Sequence, residues 1–269
     1  VQFMKPDKNG SEERLRILVI KHGALGDIVQ AMDGFSSIRK GYPGAYIAIL
    51  VGSPFCDFVK LMPWFDEVIT DKRTRLFNFV EAIKLRACFH RGWFMVVDMQ
   101  GTNRTKWYMR LFGHLIPCWV GRFSGASVRL PDLRKINNTD RYVEIAKIAK
   151  GIYEPADMDW LLNNQNVRDN FSDVWSKECY ATIIPGCSLA KPQKRWPAER
   201  FSELANMLLF RGLIVLVVGT DDDRDAVDEL LAAAPDAVDL CGKTNLVALA
   251  QLLSKSSFFI GNDTGPVFL

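Results

Sequence analysis

At 269 residues and 48% hydrophobic composition, the chain has enough apolar material for one large or two ordinary globular cores. Its 34 basic residues are nearly balanced by 31 acidic ones, a formal charge of +3, which argues against a duplex nucleic-acid binder with a dominant basic face. Six scattered cysteines without a CxxC pair suit free thiols in a reducing cytoplasm, and a polar N-terminus with no long apolar run predicts neither export nor a membrane span.

RILVIK (16–21) opens the series as a β-branched apolar run, and it leads directly into HGALGD. This loop has two glycines, Gly23 and Gly26, and a lone carboxylate, Asp27, at the expected first turn of a helix. Acids are favoured at helix starts, so the ordinary reading of Asp27 is a cap. The following IVQAMDGFSSIRKGYP places Ile28, Met32, Phe35 and Ile38 at helical spacing and ends in glycine and proline, which predicts one helix closed by a turn. AYIAILV (45–51), DEVIT (66–70) and FMVVD (94–98) then alternate with segments of helical length, the pattern of a parallel sheet flanked by helices.

Between the last two runs lies RTRLFNFVEAIKLRACFHRGWF. The spacing of Leu76, Val80, Ile83 and Ala87 favours a helix packed on a sheet, while the mixture of basic and aromatic residues keeps open an amphipathic helix against an anionic bilayer. A polar stretch follows, and the linker is expected near residues 155 to 175. It would separate a first domain, 1–160, from a second, 161–269. The second series comprises YATIIP (180–185), LIVLVVG (213–219), AVDL (237–240) and SFFIGND (257–263), with helical patterns at 197–210, 222–233 and 245–254. The final GNDTGPVFL resembles a strand, a turn and the beginning of a helix, which suggests that the second domain is truncated.

Ligands of open parallel sheets sit beyond the carboxyl ends of the strands. Four polar clusters fall there: HGALGD, DMQGTNRT (98–105), PGCSLAKPQKRWP (185–197) and NDTGP (262–266). HGALGD lacks the three-glycine dinucleotide fingerprint, and the chain has no G-x-x-x-x-G-K-[ST] phosphate loop, so a nicotinamide oxidoreductase and a P-loop nucleotidase are both disfavoured. Lys191, Lys194 and Arg195 precede a helix beginning near Pro197, where an anion would reconcile cations with the positive helix end. A solvated basic loop is the alternative there, as a capping turn is for Asp263 and Thr264. His22 and Gly26 are candidates for positioning an acceptor, although a lone histidine in a turn is more often solvent-facing. One carboxylate in the first domain and two anion sites in the second are the parts for group transfer from a phosphate-activated donor.

Together, ILVIKHGALGD, GYPGAYIAILVGSPF, FDEVI, VVDMQG, PGCSLAKPQKRWPAERFSELA and GNDTGP resemble glycosyltransferase family 9, the ADP-heptose:lipopolysaccharide heptosyltransferases, over nearly the whole chain from about residue 15. The resemblance implies an α/β GT-B architecture of two Rossmann-like domains, the N-terminal one for a lipid-linked acceptor and the C-terminal one for the nucleotide sugar. It matches Asp27 to the family's proposed catalytic base and Lys194 to a lysine that contacts the donor diphosphate. Asp263, Thr264 and Gly265 match the turn at the donor phosphates, Ser188 a small hydroxylic residue beside them, and Asp222 or Asp223, more loosely, an acid near the nucleoside. The implied enzyme needs neither metal nor other cofactor, takes an ADP-sugar as co-substrate and a lipid A or lipopolysaccharide-core acceptor, binds no nucleic acid, and works in the cytoplasm with peripheral contact at the inner membrane. Phe268 stands where the family usually has a histidine near the donor. This departure keeps open a catalytically silent sugar-nucleotide-binding or scaffold protein of the same fold.

Overall fold

The computed structural model describes residues 14–73, 79–164, 179–188 and 192–269. Leu76, Lys191 and most of the expected linker lie outside the described residues. The chain divides into two compact units, Val1–Asp157 and Met158–Leu269.

In the first unit, six parallel strands form among the described residues: β1 (Arg16–Ile20), β2 (Tyr46–Gly52), β3 (Glu67–Asp71), β4 (Met95–Asp98), β5 (Cys118–Gly121) and β6 (Val128–Arg129). Their order, β3-β2-β1-β4-β5-β6, is that of a Rossmann sheet, whose strand order reverses beside the first strand. The register is continuous, with Ile17 opposite Ile47 on one side and Met95 on the other. Ile17, Leu18, Val19 and Ile20 are wholly buried, because helices cover both faces and an alternating pattern would strand polar groups in the core. The short strands β5 and β6 are additional to those read from the sequence.

The connecting helices are α1 (Leu25–Val29), α2 (Met32–Gly41), α3 (Cys56–Val59), α4 (Phe79–Phe89), α5 (Asn103–Phe112) and α6 (Asn138–Ile148). The single helix expected after β1 is therefore two. Ala31 N donates to Ile28 O at 3.1 Å, a tightened turn that consumes an end carbonyl of α1 before α2 begins. The packed stripe expected on α4 is also corrected: Val80 and Ile83 are exposed, as is Phe79. The C-terminal half is the part packed on the core, by Cys88 and Phe89 with Leu85 beside them, Phe89 stacking on Phe112 (4.8 Å) and Trp119 (5.9 Å). These rings meet Trp93 and Tyr108 in one aromatic core.

Helices α2 and α6 approach closely because Gly34 faces the backbone of α6. A β-carbon there would lie 2.8 Å from Tyr142 O. The segment after α6 is laced back along α2: Ile152 N donates to Ser37 O, Glu154 N to Ser37 Oγ, and Ala156 N to Asp33 Oδ1.

The second unit contains α7 (Asp159–Leu162), β7 (Tyr180–Ile184), α8 (Ala198–Phe210), β8 (Ile214–Val217), α9 (Arg224–Ala233), β9 (Val238–Asp239), α10 (Leu246–Lys255) and β10 (Phe258–Gly261). Its parallel sheet has the order β10-β7-β8-β9, so strand order reverses beside β7 as it does beside β1. Gln251 of α10 donates to Leu161 O and Asn164 O, tying α7 to this unit. The final GPVF forms a single 3₁₀ turn.

Gly34→Val should lower stability by about 1–3 kcal/mol, the usual cost of forcing methyl groups into a filled contact. A lower denaturant midpoint with an unchanged slope is the expected result.

Candidate functional site

Two loops leave the reversal point of the first sheet, HGALGD after β1 and DMQG after β4. His22 joins them to each other and to β2: its N donates to the Gln100 side-chain Oε1 (2.8 Å), and its O accepts from Gly52 N (3.1 Å). Gly23 has φ +128°, and a β-carbon there would lie 2.3 Å from Phe55 Cε2, so this turn admits only glycine without a shift. Gly26 is buried inside α1.

Asp27 lies in the first turn of α1, but neither it nor Ala24 makes a side-chain capping bond. The capping expectation is thereby corrected. The Asp27 carboxylate is 40% exposed and its Oδ2 lies 3.8 Å from Lys21 Nζ. Lys21 is 1% exposed and donates to Tyr142 Oη at 2.7 Å. Neither partner was singled out from the sequence: Tyr142 lies on α6, far away in the chain, and Lys21 reads as the last residue of the β1 run.

His22 is 2% exposed, contrary to the solvent-facing expectation for a turn histidine. Its Nε2 lies 3.1 Å from Asp71 Oδ2, at the end of β3. Asp71 also accepts from Tyr108 Oη (2.5 Å), Arg104 Nε and Nη2 (both 3.1 Å) and Arg73 N (2.8 Å). Burial pushes the Asp71 carboxyl up, but the contacts from His22 and Tyr108 outweigh it and hold the group well below the usual carboxylate range. The network anchors the HGALGD loop from behind.

A cavity of about 440 Å³ opens beside this site, between the ends of β4 to β6 and α6. Tyr142 lines it, so the hydroxyl that meets Lys21 belongs to a cavity residue. Asp98, Arg122, Arg129, Arg134 and Arg141 also line it. Arg134 is paired with Asp132, and Arg141 donates to the carbonyls of Leu133 and Ile136. Among the described residues Arg129 makes no ion pair. Asp98 is 1% exposed and accepts from Gly101 N (2.8 Å) and Gln100 N (3.1 Å), while its Oδ2 has no hydrogen-bond partner. Burial pushes the Asp98 carboxyl up.

At the reversal point of the second sheet, Asn262 is buried and ties the two loops together. It donates to Pro185 O (2.8 Å) and accepts from Trp196 N (2.8 Å). Lys194 and Asp263 form an ion pair, which raises Lys194. Ser188 is exposed beyond β7, and Thr264 and Gly265 begin the final 3₁₀ turn, where Thr264 makes no side-chain capping bond. Asp222 is exposed in a short turn whose capping is done by its neighbour Asp223, through bonds from Thr220 N and Oγ1. Lys194 and the 263–265 turn are thus brought together, and Asp222 comes from the turn after β8. Among the described residues no cluster of three or more His, Cys, Asp or Glu is arranged to hold a metal ion, and no helix is long and apolar enough to cross a membrane.

A protein-family model, Glycosyltransferase family 9 (heptosyltransferase), matches residues 118–269. The lipopolysaccharide heptosyltransferase 2 of Salmonella typhimurium is 24% identical over 283 aligned positions, spanning 93% of this chain and 78% of that protein. Two solved structures share the fold. A glycosyl transferase family 9 protein from Veillonella parvula superposes with a TM-score of 0.75 at 19% identity, over 94% of this chain and 76% of that one. The E. coli heptosyltransferase WaaC with ADP-2-deoxy-2-fluoro heptose gives a TM-score of 0.73 at 18% identity, over 94% and 84%.

Asp71→Asn should cost about 1–3 kcal/mol, because the donors that converge on the carboxylate, Tyr108 Oη, Arg104 and Arg73 N, would be left on a neutral amide. Since the folded-state value of Asp71 lies below the unfolded one, its contribution is present above the ordinary carboxylate range and fades as pH falls through that range toward the folded value. Urea titrations across acidic pH should therefore show a shallower acid loss in Asp71→Asn than in the wild type.

Proposed function

Because the chain belongs to glycosyltransferase family 9, we propose that it transfers a heptose or related sugar from an ADP-sugar to a lipopolysaccharide-core or lipid A-linked acceptor, with inversion at the anomeric carbon. The observation that carries this reading is the Asp27 carboxylate, solvent-accessible at a strand-order reversal and unused as a cap. Asp27 takes the proton of the acceptor hydroxyl as that oxygen bonds to the anomeric carbon. The bond to the diphosphate breaks in the same step, and ADP leaves with its electron pair.

The first unit receives the acceptor. Its arginine-lined cavity suits a sugar bearing carboxylate or phosphate, since guanidinium groups bind such oxygens through paired N–H donors. His22 and Gly26 act here by holding the loop, being buried. The second unit receives the donor. Lys194 exchanges Asp263 for diphosphate oxygens, with Ser188 and the Asp263–Thr264–Gly265 turn beside them and Asp222 toward the nucleoside. The heptose donor is supported by the family description and by the E. coli neighbour bound to an ADP-heptose analogue. No metal or further cofactor enters the scheme. We assign the reaction to the cytoplasmic side of the inner membrane, with peripheral contact there supported by exposed Phe79, Val80 and Ile83 on a helix that also carries Lys84 and Arg86.

A second reading, donor binding without turnover, is favoured by Phe268, which puts an exposed ring on the final 3₁₀ turn where an imidazole would donate to phosphate.

Asp27→Asn should reduce kcat by roughly 10²- to 10⁴-fold while ADP affinity stays unchanged. In calorimetric titrations Lys194→Ala should weaken ADP binding by about 10- to 100-fold, the worth of a charge-assisted hydrogen bond. A folded wild-type chain that fails to bind ADP would sink both readings, and binding without sugar transfer would select the second.

A further inference from the structure

We infer that Lys21 and Tyr142 form a positioning pair for Asp27, in which the Lys21 ammonium holds the carboxylate in its working orientation and the Tyr142 hydroxyl holds the ammonium. This rests on the transferase reading of Asp27. The geometry is specific. Lys21 follows β1 immediately, and its backbone N–H donates to Leu50 O at 3.0 Å, continuing the ladder and fixing the root of the side chain. Nζ is 2.7 Å from Tyr142 Oη, 4.6 Å from the Tyr142 ring centroid and 3.8 Å from Asp27 Oδ2. Tyr142 is itself 4% exposed, and its height over Lys21 is set by the close seating of α6 on Gly34.

A lysine buried this deeply is an expensive way to fill space, since leucine or methionine would fill it without desolvating a charge. Its partners account for its presence. The charged and titratable groups facing it are Asp27 from α1, Asp98 from the end of β4, and Arg141 and Tyr142 from α6. Asp27 alone among the carboxylates is also open to solvent, so the ammonium is the one fixed point against which a half-exposed side chain can be oriented. A carboxylate that must meet a hydroxyl proton within hydrogen-bond reach benefits from that restraint.

Burial lowers Lys21 to about 8, with Asp27 and Asp98 opposing the fall and Arg141 adding to it. The ammonium is therefore complete below that pH and is lost as pH rises through it. Loss of the charge releases Asp27, so kcat should fall with an alkaline limb near 8.

The test is the pH profile of ADP release, with ADP-heptose as donor and heptose-free lipopolysaccharide as acceptor. In wild type, kcat should decline across pH 8 while KM for ADP-heptose stays constant. Lys21→Met should be slower by about 10- to 100-fold below pH 8 and lack the limb. Lys21→Arg should recover most of the rate, with the limb displaced to high pH because guanidinium does not titrate there. Should Lys21→Met fail to fold, Tyr142→Phe is decisive. It removes one hydroxyl that stabilises the ammonium, so the limb should move below its wild-type position. A limb that persists in Lys21→Met, or one unmoved in both Lys21→Arg and Tyr142→Phe, overturns the pairing and leaves the transferase reading intact. A folded wild type that binds ADP but never turns over overturns both.

Discussion

Strand β1 is hydrogen-bonded along both edges, to β2 and to β4, and the candidate chemistry of the first unit depends on that double pairing. From this strand the crossovers run in opposite directions across the sheet. Right-handed connections therefore send the helices after β1 and β4 to opposite faces. The loops that begin those crossovers must part, and the gap between them is where a small molecule meets backbone and side chains together. The second sheet repeats the device beside β7, where Lys194, Asp263 and the Asn262 bonds gather. Asp27 and Lys194 thus hold equivalent topological positions in their units.

Most of the strands were legible because a parallel strand covered on both faces is a run of β-branched and aliphatic residues, and ILVI, YIAILV, MVVD and ATII are such runs. Strands β5 and β6 escaped because CWVG and VR are too short to carry a period. The α4 stripe misled because helical spacing reports that one face is apolar, not that the sheet reaches it. Phe89 and Cys88 hold that helix from its far end. The break between α1 and α2 left no trace in a continuous three-to-four spacing.

The candidate site was half legible. Asp27, Lys194 and Asp263 could be singled out because they lie in polar loops at expected strand ends and match motifs of the family that the sequence resembles. Their surroundings could not. Asp71, Arg104 and Tyr108 reach His22 from β3 and α5, and Tyr142 reaches Lys21 from α6. Such long-range partners turned a supposed solvent-facing histidine into a buried anchor and a supposed cap into a carboxylate facing a buried lysine. Local rules describe what a residue does when its neighbours in sequence are its neighbours in space. A reversal point is where that assumption fails most, because six separate segments converge there.

Part of the fastening at the first reversal runs through main-chain groups: Gly52 N to His22 O, Lys21 N to Leu50 O, Met99 N to Ile20 O. Those three bonds are indifferent to side-chain identity, whereas the bond of Gln100 to His22 N and those of Asp98 to Gln100 N and Gly101 N are not. Of the cavity arginines, Arg122 and Arg134 stand on the segments after β5 and β6, Arg129 in β6 and Arg141 on α6, away from β1 and its two neighbours. Replacing the Arg134 side chain would therefore change the charge of the cavity wall without removing any of these main-chain bonds.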